Sequence, residues 1–180
     1  TIPDSVTSIG GWAFHGCTGL TSISIPDSVT SIGSSAFRDC SRLTSITIPD
    51  SVTSIGGDAF SGTAYYNDNA NWESDALYIS NHLIKLKDSI SGAYTVKNGT
   101  ITIAEDACGG SSVEKTCIGL TSITIPDSVI GIGDYAFSSC PNLKSVSIGN
   151  NVTYIGAYAF AICSSLDDLT IGRNVKEIGW

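Results

Sequence analysis

The sequence predicts a repeat solenoid: a stack of 23-residue coils, each with a parallel-sheet strand, a second short strand and one helical turn. Three observations predict it. The nine residues Ile-Pro-Asp-Ser-Val-Thr-Ser-Ile-Gly begin at Ile2, Ile25 and Ile48 and return with two changes from Ile125. The step between the first three copies is 23 residues, and degraded copies follow from Val146 and Leu169. Hydrophobic residues make up 42% of the chain, enough to fill a continuous core between units that cannot bury their own apolar faces.

Within one coil the elements follow in order. Leu20, Ile23 and Ile25 have strand spacing, so Ile23 and Ile25 share one face while Ser22 and Ser24 point away. Pro26-Asp27-Ser28 breaks the ladder as a turn, because Pro fixes φ and Asp can accept from nearby backbone amides. Val29 and Ile32 form the second strand, ended by Gly33. Ala36, Phe37 and Cys40 are spaced for one helical turn with Phe37 driven inward. Burying each larger group is worth roughly 1.5 to 3 kcal/mol, so neighbouring coils rather than the isolated repeat hold the fold.

Residues 1–60 and 94–180 carry the repeat, and residues 61–93 interrupt it. The interruption opens with a Gly/Asn-rich aromatic loop containing Tyr65, Tyr66 and Trp72. It continues over Ala76 to Leu86 as two short strands around a Ser80-Asn81 turn. Two further departures mark its neighbourhood. Thr63 stands where Cys belongs, and Cys108 stands where Phe belongs. Cys117 follows Cys108 with eight residues between them, so a loop from Gly109 to Thr116 should emerge on the helical side. The repeat runs to both termini without polar caps, which predicts a single solenoid that is a fragment of a longer chain.

This unit, I-x-I-P-x-S-V-x-x-I-G-x-x-A-F-x-x-C-x-x-L-T-S, resembles the BspA-like leucine-rich repeat family of bacterial cell-surface proteins. The resemblance implies a leucine-rich-repeat solenoid, an extracellular or cell-surface location and a role in adhesion through protein binding. It also implies that inserted hairpins between coils are compatible with the fold.

Charge and motif content exclude several functions. The formal net charge is −8, with only nine Lys and Arg in the chain, whereas nucleic acid and anionic membranes reward clustered positive charge. No stretch approaches 18 apolar residues, so direct membrane insertion is not expected. No nucleophile elbow or phosphate-binding loop occurs, and serines repeated in columns do not make one unique catalytic constellation, so no catalytic residues and no cofactor are expected. Cys17, Cys40, Cys117, Cys140 and Cys163 recur at one position, giving parallel Cβ vectors poorly suited to disulfides, so buried free thiols are expected. A bridge between Cys108 and Cys117 across the inserted loop is the alternative. Asp4, Asp27, Asp50 and Asp127 form a column, but like charges about 5 Å apart in water repel by only about 0.8 kcal/mol, so turn capping needs no bound metal.

Two candidate binding surfaces remain. One is a weakly charged hydroxyl face at the repeat spacing, made by Ser22, Ser24, Ser45, Thr47, Ser122 and Thr124, continued by Ser145 and Ser147. The other is Tyr65, Tyr66 and Trp72, which either cover the gap in the stack or form a recognition patch, since Tyr and Trp are favoured interface anchors. The expected partner is a protein or another extracellular macromolecule. The alternatives are a structural spacer that projects other domains and a Ser/Thr array that binds glycan.

Overall fold

The computed structural model describes residues 1–109 and 117–179 and is a β-solenoid of the expected period. One run of strands forms the hydroxyl face. Ser22–Ser24 and Ser45–Thr47 make a two-stranded parallel sheet; Ser91–Thr95, Gly119–Ile125, Ser145–Ile148 and Asp168–Thr170 make a four-stranded one. The second run holds Ser8–Ile9, Ser31–Ile32 and Ser54–Ile55, then Thr102–Ile103, Gly131–Ile132, Tyr154–Ile155 and Glu177–Ile178. Ser22 stands beside Ser45 and Ser8 beside Ser31, so successive coils are offset by one repeat. The apolar residues of the repeat line the interior, and Ile25, Val29, Ile32, Phe37, Cys40 and Leu43 are all buried.

The segment expected as one helical turn is a chain of linked tight turns. The amides of Ala36, Arg38 and Cys40 donate to carbonyls three residues back, at 3.2, 3.1 and 3.3 Å. The intervening amides of Ser35, Phe37 and Asp39 donate instead to Gly57, Ala59 and Ser61 of the next coil, at 2.8 to 2.9 Å. A helix directs its amides along its own axis, whereas here every second amide must turn outward to a neighbour. Ser35 and Asp39 make this possible by adopting the left-handed region, each at φ 58°.

Columns of identical residues knit the coils. Phe14, Phe37 and Phe60 stack with centroids 5.1 and 5.5 Å apart and nearly parallel planes, and Phe137 and Phe160 repeat the arrangement at 5.4 Å. The hydroxyls of Ser28 and Ser51 donate to Val6 and Val29 carbonyls of the preceding coil, at 2.7 and 2.8 Å. The Cys40 thiol donates to the Phe14 carbonyl at 3.0 Å, and Cys163 to Phe137 at 3.2 Å. A Cβ on Gly56 would collide with the backbone of Gly33 and Ser34, so glycine closes the second strand because the coils approach there backbone to backbone.

The interruption contains the two expected strands, Ala76–Ile79 and His82–Leu86, as an antiparallel hairpin around Ser80-Asn81. Both of its faces are buried. Leu77, Ile79 and Ile84 pack on the core of the first three coils, while Ala76, Tyr78, Leu83 and Leu86 pack on the core of the later ones. His82–Leu86 runs parallel to Thr102–Ile103, placing His82 beside Thr102, and Trp72–Glu73 adds antiparallel to Ala76–Ile79. The hairpin thus substitutes for a coil as the joint between two stacks. Thr63, in the Cys position, explains where the departure begins: its hydroxyl accepts from the Tyr66 amide at 3.0 Å and caps a single helical turn, Ala64–Asn67.

The thiol expectation needs correction. Cys108 and Cys117 are disulfide-bonded, with Cα atoms 5.7 Å apart. Parallel Cβ vectors disfavour a bridge between coils, but these two lie in one coil, at the Phe and Cys positions that both point inward. The bridge sits where other coils carry a ring. Four cysteines are free, and burial is uneven: Cys40 and Cys140 are buried, Cys163 is half-buried, and Cys17, lying in the first coil, is exposed. The loop expected from Gly109 to Thr116 lies outside the described residues beyond Gly109.

Three outcomes test this architecture. Phe37→Ala should lose about 3 to 5 kcal/mol in urea unfolding, since the ring is fully buried between two others; a loss below about 1 kcal/mol would contradict the stack. Thiol titration without reductant should find four groups after denaturation, Cys17 reacting first in the native state, and six only after reduction. His82 is wholly buried, its Nε2 meets the Pro49 carbonyl at 3.2 Å, and its Nδ1 has no partner among the described residues. Burial holds its pKa below the ordinary 6.5, so the unfolded chain binds the proton first and stability is lost as pH falls below about 6.5. The melting temperature should therefore drop between pH 7 and pH 5, and less so in His82→Gln.

Candidate functional site

The hydroxyl face is regular but divided. Ser22 is in register with Ser45 and Ser24 with Thr47; Ser122 with Ser145 and Thr124 with Ser147. Ser22, Ser24, Ser45, Thr47, Thr124 and Ser147 are exposed, and Ser122 and Ser145 half-buried. Among the described residues no strand pairs with the outer edge of Ser45–Thr47 or with the near edge of Ser91–Thr95, so the face consists of two blocks flanking the insertion.

The three aromatics lie together at that division, and all are half-buried against the first core. Their polar tips are mostly turned inward. The Tyr65 hydroxyl donates to the Tyr78 carbonyl at 3.3 Å, and Trp72 Nε1 donates to the Tyr66 carbonyl at 2.9 Å. Asn71 Nδ2 donates to the Tyr65 carbonyl at 2.9 Å. The Tyr66 and Trp72 rings meet edge to face, 5.6 Å apart and 82° inclined. Burial raises the pKa of both tyrosines, with Glu73 adding to Tyr65 and Asp58 and Asp88 to Tyr66, so both phenols stay neutral at physiological pH.

Tyr66 and Trp72 nevertheless keep an outer surface. With Leu86, Lys85 and Lys87 they line an open groove of 360 Å³. Lys87 Nζ lies 5.3 Å from the Trp72 ring centroid and donates to the Ser74 carbonyl at 2.8 Å. Lys85 Nζ donates to the Asp106 carbonyl at 2.6 Å. Sequence reasoning missed both lysines. The signal was available, because only Arg38 and Arg42 precede Lys85 among the basic residues. On the other flank the Tyr78 and Tyr94 hydroxyls share a hydrogen bond of 2.9 Å, and Lys97 pairs with Glu73 at 2.8 Å, fastening the insertion to Ser91–Thr95.

Two aspartates of the column accept hydrogen bonds from the segment that follows in the stack. Asp127 Oδ1 accepts from the Asn150 amide of the next coil, and Asp50 Oδ1 accepts from Asn81 Nδ2 at 2.9 Å. Among the described residues no group of three or more His, Cys, Asp or Glu side chains is placed to hold a metal ion, and no helix is long and apolar enough to cross a membrane.

A BspA type leucine rich repeat region, in six copies, matches residues 1–112 and 95–180. Among solved structures, the chain is similar to a leucine rich cell surface protein from Faecalibacterium prausnitzii. That protein is 28% identical over 94% of this chain and 52% of its own, with a TM-score of 0.51. A leucine-rich repeat protein from Bacteroides ovatus is 31% identical over 97% of this chain and 43% of its own, with a TM-score of 0.43. The chain thus spans about half the length of these neighbours. Comparison with curated proteins returns no match. The strand, turn and Phe-x-x-Cys columns are those of one repeat family: the chain belongs to the BspA type leucine rich repeat proteins.

Proposed function

We propose that this solenoid is a protein-binding module of a bacterial surface adhesin, acting without catalysis, and that its specific contact is made at the insertion by Tyr66 and Trp72. The observation that carries this reading is the 360 Å³ groove beside them, a concave aromatic surface that occurs at the break in the repeat. Tyr65 serves there as a support, since its hydroxyl is bonded inward. Repeated positions are constrained by stacking and provide breadth, whereas selectivity needs residues that occur once. The cell-surface neighbour from Faecalibacterium prausnitzii supports an extracellular setting by similarity.

A second reading is favoured by the registered hydroxyl pairs on the face, Ser22 with Ser45 and Ser24 with Thr47, which present an array suited to glycan. One set of variants separates these readings from each other and from a passive spacer. Binding is measured to a panel of immobilised extracellular proteins and to a glycan array, using the parent chain, Tyr66→Ser with Trp72→Ser, and Ser24→Lys with Thr124→Lys.

The expected outcome is capture of a protein whose affinity falls about tenfold or more in the aromatic variant and stays within about twofold in the face variant. The aromatic variant should also melt lower, because both rings are half-buried; Tyr66→Phe, which keeps the ring, should retain affinity and stability. Loss of binding only in the face variant would assign recognition to the hydroxyl array. No capture by any probe would leave the spacer reading.

A further inference from the structure

Asn98 and Gly99 form the tip of a turn between Ser91–Thr95 and Thr102–Ile103, and both are exposed. The turn is closed at its base. The Thr100 amide and hydroxyl both donate to the Lys97 carbonyl, at 3.2 and 2.6 Å, and Thr100 is buried. Gly99 holds φ at 90°, in the left-handed region that the third residue of such a turn requires. This is the one Asn-Gly pair in the chain.

Side chain and following amide are already in contact there. The Gly99 amide donates to Asn98 Oδ1 at 3.1 Å and to Ser128 Oγ of the following coil at 3.0 Å. Glycine has no Cβ to shield that nitrogen, and the position where one would stand has nothing within 4 Å, so solvent reaches it. Other asparagines are held by the side-chain nitrogen. Nδ2 of Asn71 donates to the Tyr65 carbonyl, that of Asn142 to the Ile118 carbonyl and that of Asn81 to Asp50 Oδ1, each at 2.9 Å. Each is also followed by a bulky side chain, Trp72, Leu143 or His82. Among the described residues no hydrogen bond restrains Asn98 Nδ2.

We infer that Asn98 is a modification site, at which the folded chain converts its own asparagine to aspartate and isoaspartate through a cyclic succinimide. Hydroxide removes the Gly99 amide proton, and the nitrogen attacks Asn98 Cγ. The bond between that nitrogen and Cγ forms, the Cγ–Nδ2 bond breaks, and the side-chain nitrogen leaves as ammonia with a proton from water. A second water opens the ring at either carbonyl, giving aspartate in the original chain or isoaspartate with one extra backbone methylene. Either product places a carboxylate beside Lys97, whose partner Glu73 belongs to the insertion. Isoaspartate also lengthens a turn that two bonds to one carbonyl hold closed over Thr100, so it strains the link from the insertion to the later coils.

The test follows the whole folded chain at pH 6 and pH 8 by peptide mass mapping, with isoaspartate counted by enzymatic methylation. A gain of one mass unit should accumulate on the peptide that carries Asn98, several-fold faster at pH 8, while Asn71, Asn81 and Asn142 stay unchanged. Gly99→Asp tolerates left-handed backbone but sets a side chain and a charge beside the nitrogen, so it should slow the reaction several-fold. The isoaspartyl product should melt below both the parent and Asn98→Asp, which carries the charge without the added methylene. An Asn98 that reacts in urea but stays intact in the folded chain would overturn the inference, as would a rate equal at the two pH values, a rate unaffected by Gly99→Asp, or faster reaction at Asn71, Asn81 or Asn142. An isoaspartyl product that melts with the parent would overturn the strain on the link.

Discussion

Contact between one coil and the next is the interaction on which this structure depends. Each turn sends alternate amides along its own chain and across to the neighbour, so the second set is left unsatisfied in an isolated repeat. The same interface stacks Phe37 between Phe14 and Phe60, lets the Ser28 hydroxyl and the Cys40 thiol reach carbonyls of the coil before, and forces glycine at Gly56. These demands recur every repeat, which is why the nonapeptide is identical in the first three coils and its Val and Ile-Gly positions persist in the later ones, as Val152 with Ile155-Gly156 and Val175 with Ile178-Gly179. Left-handed backbone at Ser35, Asp39, Tyr135 and Ser139, costly for residues other than glycine, persists because hydrogen bonds on both sides hold it.

Where the stack is interrupted, the problem is to join two columns of coils without leaving either core open. A coil has one inward side, but the inserted hairpin has two apolar faces and buries both. Ser80, Asn81 and His82 tie it to Ile48, Asp50 and Pro49 of the preceding coil, while the Tyr78–Tyr94 and Lys97–Glu73 contacts tie it to the next strand. Sealing the joint leaves the aromatic loop on the outside, with its polar tips turned in and its rings forming one wall of the groove. Structural and recognition roles therefore share residues here: Trp72 packs on the core with one part of its ring and lines the groove with another.

The fold was legible because periodicity is a signal that survives without any neighbouring information. Ile23 and Ile25 inward, Ser22 and Ser24 outward, the turn at Pro26 and the burial of Phe37 all follow from spacing. The turn segment was legible in position but not in conformation, since spacing of Ala36, Phe37 and Cys40 reports which groups face inward and says nothing of where the amides go. The Cys108–Cys117 bridge depended on which two positions of one coil converge, information that the column of equivalent cysteines does not contain. Tyr65, Tyr66 and Trp72 were picked out by type and rarity. Their partners Lys85 and Lys87 belong to the hairpin, and only tertiary packing brings that hairpin beside the loop.

Identical interfaces raise a difficulty that the two-faced hairpin resolves. The first three coils carry the same nonapeptide, so a folding chain that skipped a coil would find an equally good partner one repeat further on, at the cost of a loop whose closure entropy grows only slowly with length. Slippage of this kind is a hazard of any array of perfect copies. The hairpin fits only one place, between the coil of Ile48 and the coil of Thr102, and its unlike faces distinguish the coils before it from the coils after it. It acts as an index mark on an otherwise unlabelled scale, so correct counting of the coils on either side depends on the one segment that does not repeat.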